Sequence, residues 1–396
     1  MEVEIGRGKK ARRAYGFDDV AIVPSRRTRD PDDVDITWTL GPYRFELPLL
    51  ASAMDGVVSP ETAGIIGKLG GLAVLNLEGI WTRYEDADAQ LERIAGLERE
   101  EATREMQEIY QEPVKEELIA QRIEEIKALG VVAAASLTPQ RVERWHELAL
   151  DAGLDILVIQ GTVISAEHVS SAGHVLNLKE FVRELPVPVV LGGCASYSTA
   201  LHLMRTGASG VLVGVGPGAA CTTRGVLGIG VPQATAIADV AAARSQHMLE
   251  TGEYCRVIAD GGMRNGGDVA KAFACGADAV MVGSPLARAY EAPGHGFHWG
   301  MATFHPSLPR GARVRTTQNG TLQEIIMGPA RENDGTFNLM GALRTSMSTC
   351  GYQDIAEFNR AELMVAPALQ TEGKQLQREQ QIGMAARGGA VALVAD

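Results

Sequence analysis

Three times in this chain an amphipathic helical stretch ends at a glycine and passes straight into a short apolar run. These are LALDAGLDILVIQG (148–161), LMRTGASGVLVGVG (203–216) and AFACGADAVMVGS (272–284). A glycine just past a helix accepts the left-handed conformation that ends it. The β-branched run that follows shows no polar alternation, so it reads as a strand covered on both faces, as parallel strands are. Further runs complete the series: 48–53 (PLLASA), Leu72–Asn76, 131–135 (VVAAA), 187–192 (VPVVLG) and Arg256–Asp260. Eight strands alternating with helices through right-handed crossovers close most simply into a (β/α)8 TIM barrel of the α/β class. A doubly wound open sheet is the competing fold. The count of eight, with a polar residue or glycine ending almost every strand, favours the barrel.

Three regions fall outside this rhythm. Residues 85–128 are charged and helical in pattern, with Leu91, Ile94 and Leu97 spaced for one apolar face, and predict one or two surface helices inserted between strands 2 and 3. Residues 295–342 are rich in Gly, Pro and Thr and follow strand 8, where a long aperiodic segment predicts an active-site flap. Residues 370–396 read as a loosely held tail, leaving 1–369 as one catalytic domain.

The 396 residues exceed the usual size of one domain, but a barrel of this kind fills about 250 or more by itself. A net charge of −12 argues against nucleic acid as the main partner. A small phosphate remains possible, because backbone N–H groups can hold it in an acidic protein. Cys194, Cys221, Cys255, Cys275 and Cys350 are odd in number and form no CxxC pair, which fits a reducing, cytoplasmic setting with a free thiol. The basic N-terminus has no apolar run after it, and no stretch is long enough to span a membrane.

Barrel active sites lie at the C-terminal ends of the strands. The loop after strand 6, GVGPGAACTTRGVLGIGVPQATAI (214–237), is the most informative one. Gly214, Gly216 and Gly218 let the backbone curl and present Cys221, with Thr222, Thr223 and Arg224 directly after it. A thiol beside a guanidinium and hydroxyl donors has a stabilised thiolate, the form that attacks electrophilic carbon. The other four cysteines sit on a helix face, beside strands or near a helix end and read as small buried hydrophobes. GVGPG lacks the spacing of a dinucleotide fingerprint. Strand 7 ends in Asp260-Gly261-Gly262-Met263, a carboxylate suited to a ribose diol followed by free N–H groups; helix capping is the alternative role for the Asp. Strand 8 ends in Val282-Gly283-Ser284, at the rim where barrels recurrently hold phosphate. Ser52 and Met54 after strand 1 share that rim, and a methionine there suits a purine face.

The chain resembles the IMP dehydrogenase/GMP reductase family over most of its length. The resemblance rests on YGFDDVAIVPS (15–25), LASAMDGV (50–57), GLAVLN (71–76), GVGPGAACTTR (214–224), GVPQATAI (230–237), VIADGGMRNGGDVAKAFACGADAVMVGS (257–284) and GALRTSMSTCGY (341–352). It implies that Cys221 adds to purine C2, with Thr223 beside it to position or activate water or the leaving group. Asp260 would bind the ribose, Gly262, Gly283 and Ser284 the phosphate, and Ser52 and Met54 the nucleotide. Gly300 and Met301 resemble the family's base-contacting segment, and the carbonyls of Gly216, Gly218 and Cys221 its potassium (K+) site. The resemblance further implies NAD, with Gln160 and Gly214 on the cofactor side, and a homotetramer or octamer.

Several positions depart from the family pattern. The regulatory CBS insert of longer members is absent, with the helical segment at 85–128 in its place. Ala219 stands where a phosphate-binding serine is usual, Gln160 where an aspartate is, and Leu212 and Cys194 replace polar residues. The flap lacks an Arg-Tyr pair, and Pro309-Arg310-Gly311 is the nearest substitute, which makes Arg310 the catalytic candidate there; Gln323 and Glu324 lie in the same segment. The expected reaction is NAD-dependent oxidation of IMP to XMP, in guanine nucleotide biosynthesis. GMP reductase and a catalytically silent purine-nucleotide-binding protein are the alternatives. GVPQATAI favours the dehydrogenase, and the missing regulatory module suits the reductase.

Overall fold

The computed structural model describes residues 2–165, 176–300, 312–366, 374–380 and 382–383. Eight parallel strands close on themselves. They are β1 (Leu49–Ala51), β2 (Leu72–Asn76), β3 (Ala134–Leu137), β4 (Ile156–Gln160), β5 (Val189–Cys194), β6 (Gly210–Val213), β7 (Arg256–Asp260) and β8 (Ala279–Val282). β8 pairs with β1 in parallel, Met281 opposite Leu50, so there is no open edge and the doubly wound alternative is excluded. The eight crossover helices are α1 (Pro60–Lys68), α2 (Glu116–Ala128), α3 (Val142–Asp151), α4 (Leu178–Glu184), α5 (Tyr197–Met204), α6 (Gln233–Thr251), α7 (Gly266–Ala274) and α8 (Leu339–Thr349).

The repeat works as its sequence predicts. Gly153, Gly207 and Gly276 all take positive φ (+91°, +98° and +116°), ending α3, α5 and α7 before β4, β6 and β8. Third-strand pairing starts later than expected, at Ala134 rather than Val131, because Val131 packs outward against Gly67 of α1.

Alternation along the strands sorts the apolar residues into two cores. Leu50, Val74, Ile156, Val158, Val190, Leu212, Ile258 and Met281 fill the barrel, and one hairpin, Trp38–Leu40 with Tyr43–Phe45, seals its N-terminal end with Trp38, Leu40 and Phe45. A larger core lies between the strands' outer faces and the helices. A filled lumen with a sealed base leaves the C-terminal rim as the place for chemistry.

Two expectations need correcting. The 85–128 segment holds three helices, Ala87–Gly96, Arg99–Ile109 and Glu116–Ala128, and the third is the barrel's own α2, packed between α1 and α3. The first two form the insert. Within 295–342, residues 301–311 of the expected flap lie outside the described residues, and the parts on either side are anchored: Phe297–His298 pairs with Val314–Arg315, and the helix Leu322–Met327 buries Leu322, Ile325 and Ile326. Among the described residues no helix is long and apolar enough to cross a membrane.

Candidate active site

Of the five cysteines, four are buried and Cys221 is exposed. The loop that carries it runs back across the end of β7. A side chain at Gly214 would place its Cβ 2.1 Å from the Asp260 carbonyl oxygen, so only glycine fits there. Gly262, at φ +82°, receives Pro217 at 3.0 Å from where its Cβ would stand. Cys221 N–H then donates to Gly218 O at 3.0 Å, closing a turn that lifts the thiol toward the mouth. Its Sγ lies 3.3 Å from Oγ1 of Thr223, which is buried at the start of a short helix, Thr223–Leu227. The thiol donates to that hydroxyl; once the proton is lost, the hydroxyl can turn and donate to the thiolate.

The guanidinium expected beside the thiol points elsewhere. Arg224 donates to Val231 O at 2.7 Å, and its stem lies over Gly216 and Gly230, whose missing side chains leave room for it. Arg224 therefore staples the loop, and Thr223 is the polar group at the sulfur.

Asp260 ends β7 and keeps some contact with solvent. Burial still pushes its carboxyl up to about 7. Among the described residues one side chain reaches it: Gln160 Nε2 at the end of β4 donates to Oδ2 at 3.2 Å. Gln160, expected on the cofactor side, thus spends its amide N–H on Asp260, while its Oε1 is buried without a hydrogen bond. Gln233 of α6, which the sequence reading left without a role, donates to Val213 O at 2.6 Å and Asp260 O at 3.1 Å and ties β6 to β7. Its Oε1 is also buried without a partner. A carboxylate and two unpaired amide oxygens make a site short of donors, which a ligand carrying hydroxyl or N–H groups would satisfy.

On the neighbouring stretch of the rim, after β8 and β1, a Cβ at Gly283 would lie 2.5 Å from Met54 Sδ and 3.5 Å from Ser52 Oγ, so these three predicted residues do meet. Ser284 Oγ stands 2.7 Å from His298 Nε2, and His298 Nδ1 stands 2.8 Å from Thr316 Oγ1. Nothing in the sequence marks His298, which lies two residues before Gly300 and belongs to no motif of its own. It is 1% exposed, and burial pushes its pKa down to about 4, so it is neutral near pH 7. Gly300 follows at the rim, half-buried, whereas Met301 and Arg310 lie outside the described residues. Glu324 is used as a helix cap, accepting from Thr321 N–H at 2.9 Å and pairing with Arg331, and both contacts hold its carboxyl below the usual range. Its carboxylate is thus engaged at the start of that helix. Cys194 faces the interior and donates to Leu212 O at 3.4 Å, its thiol pushed up to about 12 by burial.

Among the described residues no group of three or more His, Cys, Asp or Glu side chains could hold a metal ion. A cation at the Cys221 loop would need main-chain carbonyls instead, and that of Gly218 already accepts from Cys221.

A family model described as "IMP dehydrogenase / GMP reductase domain" matches residues 14–375. A protein of Mycolicibacterium smegmatis named as an uncharacterized oxidoreductase is 49% identical over 372 residues, covering 92% of this chain and 99% of its own. Inosine-5'-monophosphate dehydrogenase of Cryptosporidium parvum is 29% identical, with 86% of this chain and 89% of that protein covered. Among solved structures, an IMP dehydrogenase/GMP reductase-like protein from Corynebacterium glutamicum superimposes with a TM-score of 0.87 at 45% identity, covering 92% of this chain and 97% of that one.

Proposed function

The chain belongs to the IMP dehydrogenase/GMP reductase family of oxidoreductases, and from that premise we propose that it is an NAD-dependent IMP dehydrogenase that oxidises IMP to XMP through a covalent bond to Cys221. The observation that carries this reading is the exposed Cys221 thiol, hydrogen-bonded to buried Thr223 on a loop that packs against the end of β7, where the Asp260 carboxylate receives one side-chain donor among the described residues.

The nucleotide would lie across the mouth. Its ribose hydroxyls would donate to Asp260, and its phosphate would sit at the Gly262 and Gly283 amides and the Ser284 hydroxyl. Ser52 and Met54 would line the nucleotide, with Gly300 and Met301 at the base. Cys221 thiolate then adds to C2, and loss of the C2 hydride leaves the purine bonded to sulfur as a thioimidate. When bound, NAD supplies the acceptor for that hydride. Water adds to the same carbon, the C–S bond breaks, XMP leaves and the thiolate is restored, with one proton released. Dividing the reaction at the thioimidate replaces one difficult substitution by two additions to an activated carbon.

Gln160, with its unpaired Oε1, and the close-packed backbone at Gly214 fit the cofactor side. Carbonyls of Gly216, Gly218 and Cys221, hard oxygen donors on one curled loop, would hold K+. Arg310 is the candidate for positioning the hydrolytic water. The enzyme would act as a homotetramer or octamer in the cytoplasm, with 1–369 as its catalytic unit.

Mixing the protein with IMP and NAD should raise the absorbance of reduced cofactor. A fall with GMP and NADPH, and no rise with IMP, would assign it instead to GMP reduction. Bound nucleotide with neither change would mean a silent binding protein. Cys221→Ala should lower turnover roughly a thousandfold or more while nucleotide affinity stays within a few fold. Turnover near that of the parent would remove the thiol from the reaction.

A further inference from the structure

We propose that the two-helix insert between β2 and β3 frames the base end of the nucleotide site, with Tyr110 as its positioning residue. The inference rests on the functional reading above and adds to it a role for a segment with no assigned part in the chemistry.

The insert holds the residues that directly follow and precede the two strands of the short ribbon Phe297–His298 and Val314–Arg315, beside Gly300. The first attachment starts at Trp299, which directly precedes Gly300 and is 1% exposed. Its indole N–H donates to Tyr110 Oη at 2.6 Å. Tyr110, at the end of the insert's second helix, donates in turn to Oδ2 of Asp55. The same oxygen accepts Ile80 N–H at 3.1 Å. An indole can only donate, so the phenol must accept from Trp299 and send its own proton to the carboxylate. Asp55 directly follows Met54 and is 2% exposed. One hydroxyl therefore ties Met54, on one side of the purine position, to Gly300 on the other.

The second attachment lies just before the returning strand. Arg313 donates to the carbonyls of Ile94 and of Leu97, the latter at 2.8 Å, at the C-terminal end of the helix Ala87–Gly96. A cation at that end also meets the negative pole of the helix. The guanidinium lies 4.2 Å from the Phe297 ring centroid, above the opposite strand. Neither attachment touches the reacting atoms. Both fix where the base-facing backbone stands before the nucleotide arrives, which lowers the ordering cost of binding.

Tyr110→Phe keeps the ring and removes the hydroxyl. In calorimetric titration with IMP, at a temperature where parent and variant are both fully folded by circular dichroism, the variant should bind about tenfold more weakly, the usual effect of losing a buried hydrogen bond to a charged group. In steady state the KM for IMP should rise by a similar factor, with kcat within about twofold. Arg313→Gln, which tests the other attachment, should weaken IMP binding by a smaller factor. Unchanged IMP affinity in both variants, whatever happens to their melting temperatures, would reduce the insert to a structural buttress and overturn the inference. So would a loss confined to kcat. A parent protein that binds none of IMP, XMP or GMP would instead sink the functional reading itself.

Discussion

Asp278 and Asp260 are carboxylates at opposite ends of the paired strands β7 and β8, and the protein treats them in opposite ways. Asp278 stands just before β8 at the sealed end, 4% exposed. It accepts from Arg244 at 2.7 Å, from Tyr254 Oη at 2.7 Å and from Val257 N–H at 2.7 Å. Arg244 is itself completed by Gly276 O at 3.1 Å and Asn359 Oδ1 at 3.3 Å. The Asp260 carboxylate, at the open end, receives Gln160 alone among the described residues, at 3.2 Å, and burial raises its pKa. The first carboxylate is finished by folding. The second is left unfinished, in an environment that disfavours its charge until donors come from outside. A site that must bind holds back interactions that folding could otherwise have used.

The sharpest way to break this contrast is to remove the finished carboxylate. Asp278→Ala leaves Arg244 charged, buried and without its ionic partner, and should destabilise the protein by about 3–5 kcal/mol in urea unfolding. The fraction that remains folded should bind nucleotide as the parent does. A loss below about 1 kcal/mol would mean that the network contributes little, and that the two ends differ less than their geometry indicates.

Much of the barrel was legible in the sequence because its signals are local. Parallel strands buried on both faces are continuous apolar runs, and the glycines at 153, 207 and 276 carry their meaning in their own φ angles. Cys221 stood out for a related reason: it alone lies in the glycine-rich loop after strand 6 and is followed directly by two threonines and an arginine. What stayed hidden depends on pairs remote in the chain. Gln160 meets Asp260 across 100 residues, and Trp299 meets Tyr110 across 189. Proximity in sequence also misled, since Arg224 is three residues from Cys221 yet turns to Val231. Helical periodicity marked 85–128 correctly as helix, but it carries no information on which helix packs against the barrel.

Completing Asp260 artificially should have a smaller effect than dismantling Asp278. Asp260→Asn removes the charge that two ribose hydroxyls would meet and should weaken IMP binding about 10- to 100-fold. Its effect on folding runs the other way. A carboxyl whose folded pKa is raised to about 7 contributes stability below its unfolded value near 3.8, and loses it as pH rises through 7. Above pH 7 the ligand-free parent therefore carries a penalty that the asparagine avoids. Solvent at the mouth screens part of it, leaving a gain on the order of 1 kcal/mol at pH 8. Thermal melts without ligand at pH 8 and pH 5 test this: the variant should gain more at pH 8 than at pH 5, and a loss at pH 8 would show that Asp260 is already satisfied in the empty site. In the parent, IMP affinity should rise with pH through 7, because the hydroxyls donate to the ionised form.

His298 supplies the smallest and most discriminating measurement, since its pH slope opposes that of Asp260 over part of the same range. Burial lowers its pKa from 6.5 to about 4, so between these values the unfolded chain binds a proton that the folded one refuses. Its contribution is present above pH 6.5 and is lost as pH falls toward 4. His298→Gln keeps a hydrogen-bonding side chain between Ser284 and Thr316 but cannot titrate. Relative to its own value at pH 8, the variant should be about 1–2 kcal/mol less sensitive than the parent to acidification to pH 5. With that slope removed, the opposite trend of Asp260 should emerge: the variant's stability should rise slightly between pH 7 and pH 5 while the parent's stays flat or falls. The double variant Asp260→Asn/His298→Gln should be flat on both counts. Parallel pH profiles for parent and His298→Gln would mean that the Ser284–His298–Thr316 chain admits a proton freely, and that this rim, like the other, is open to water.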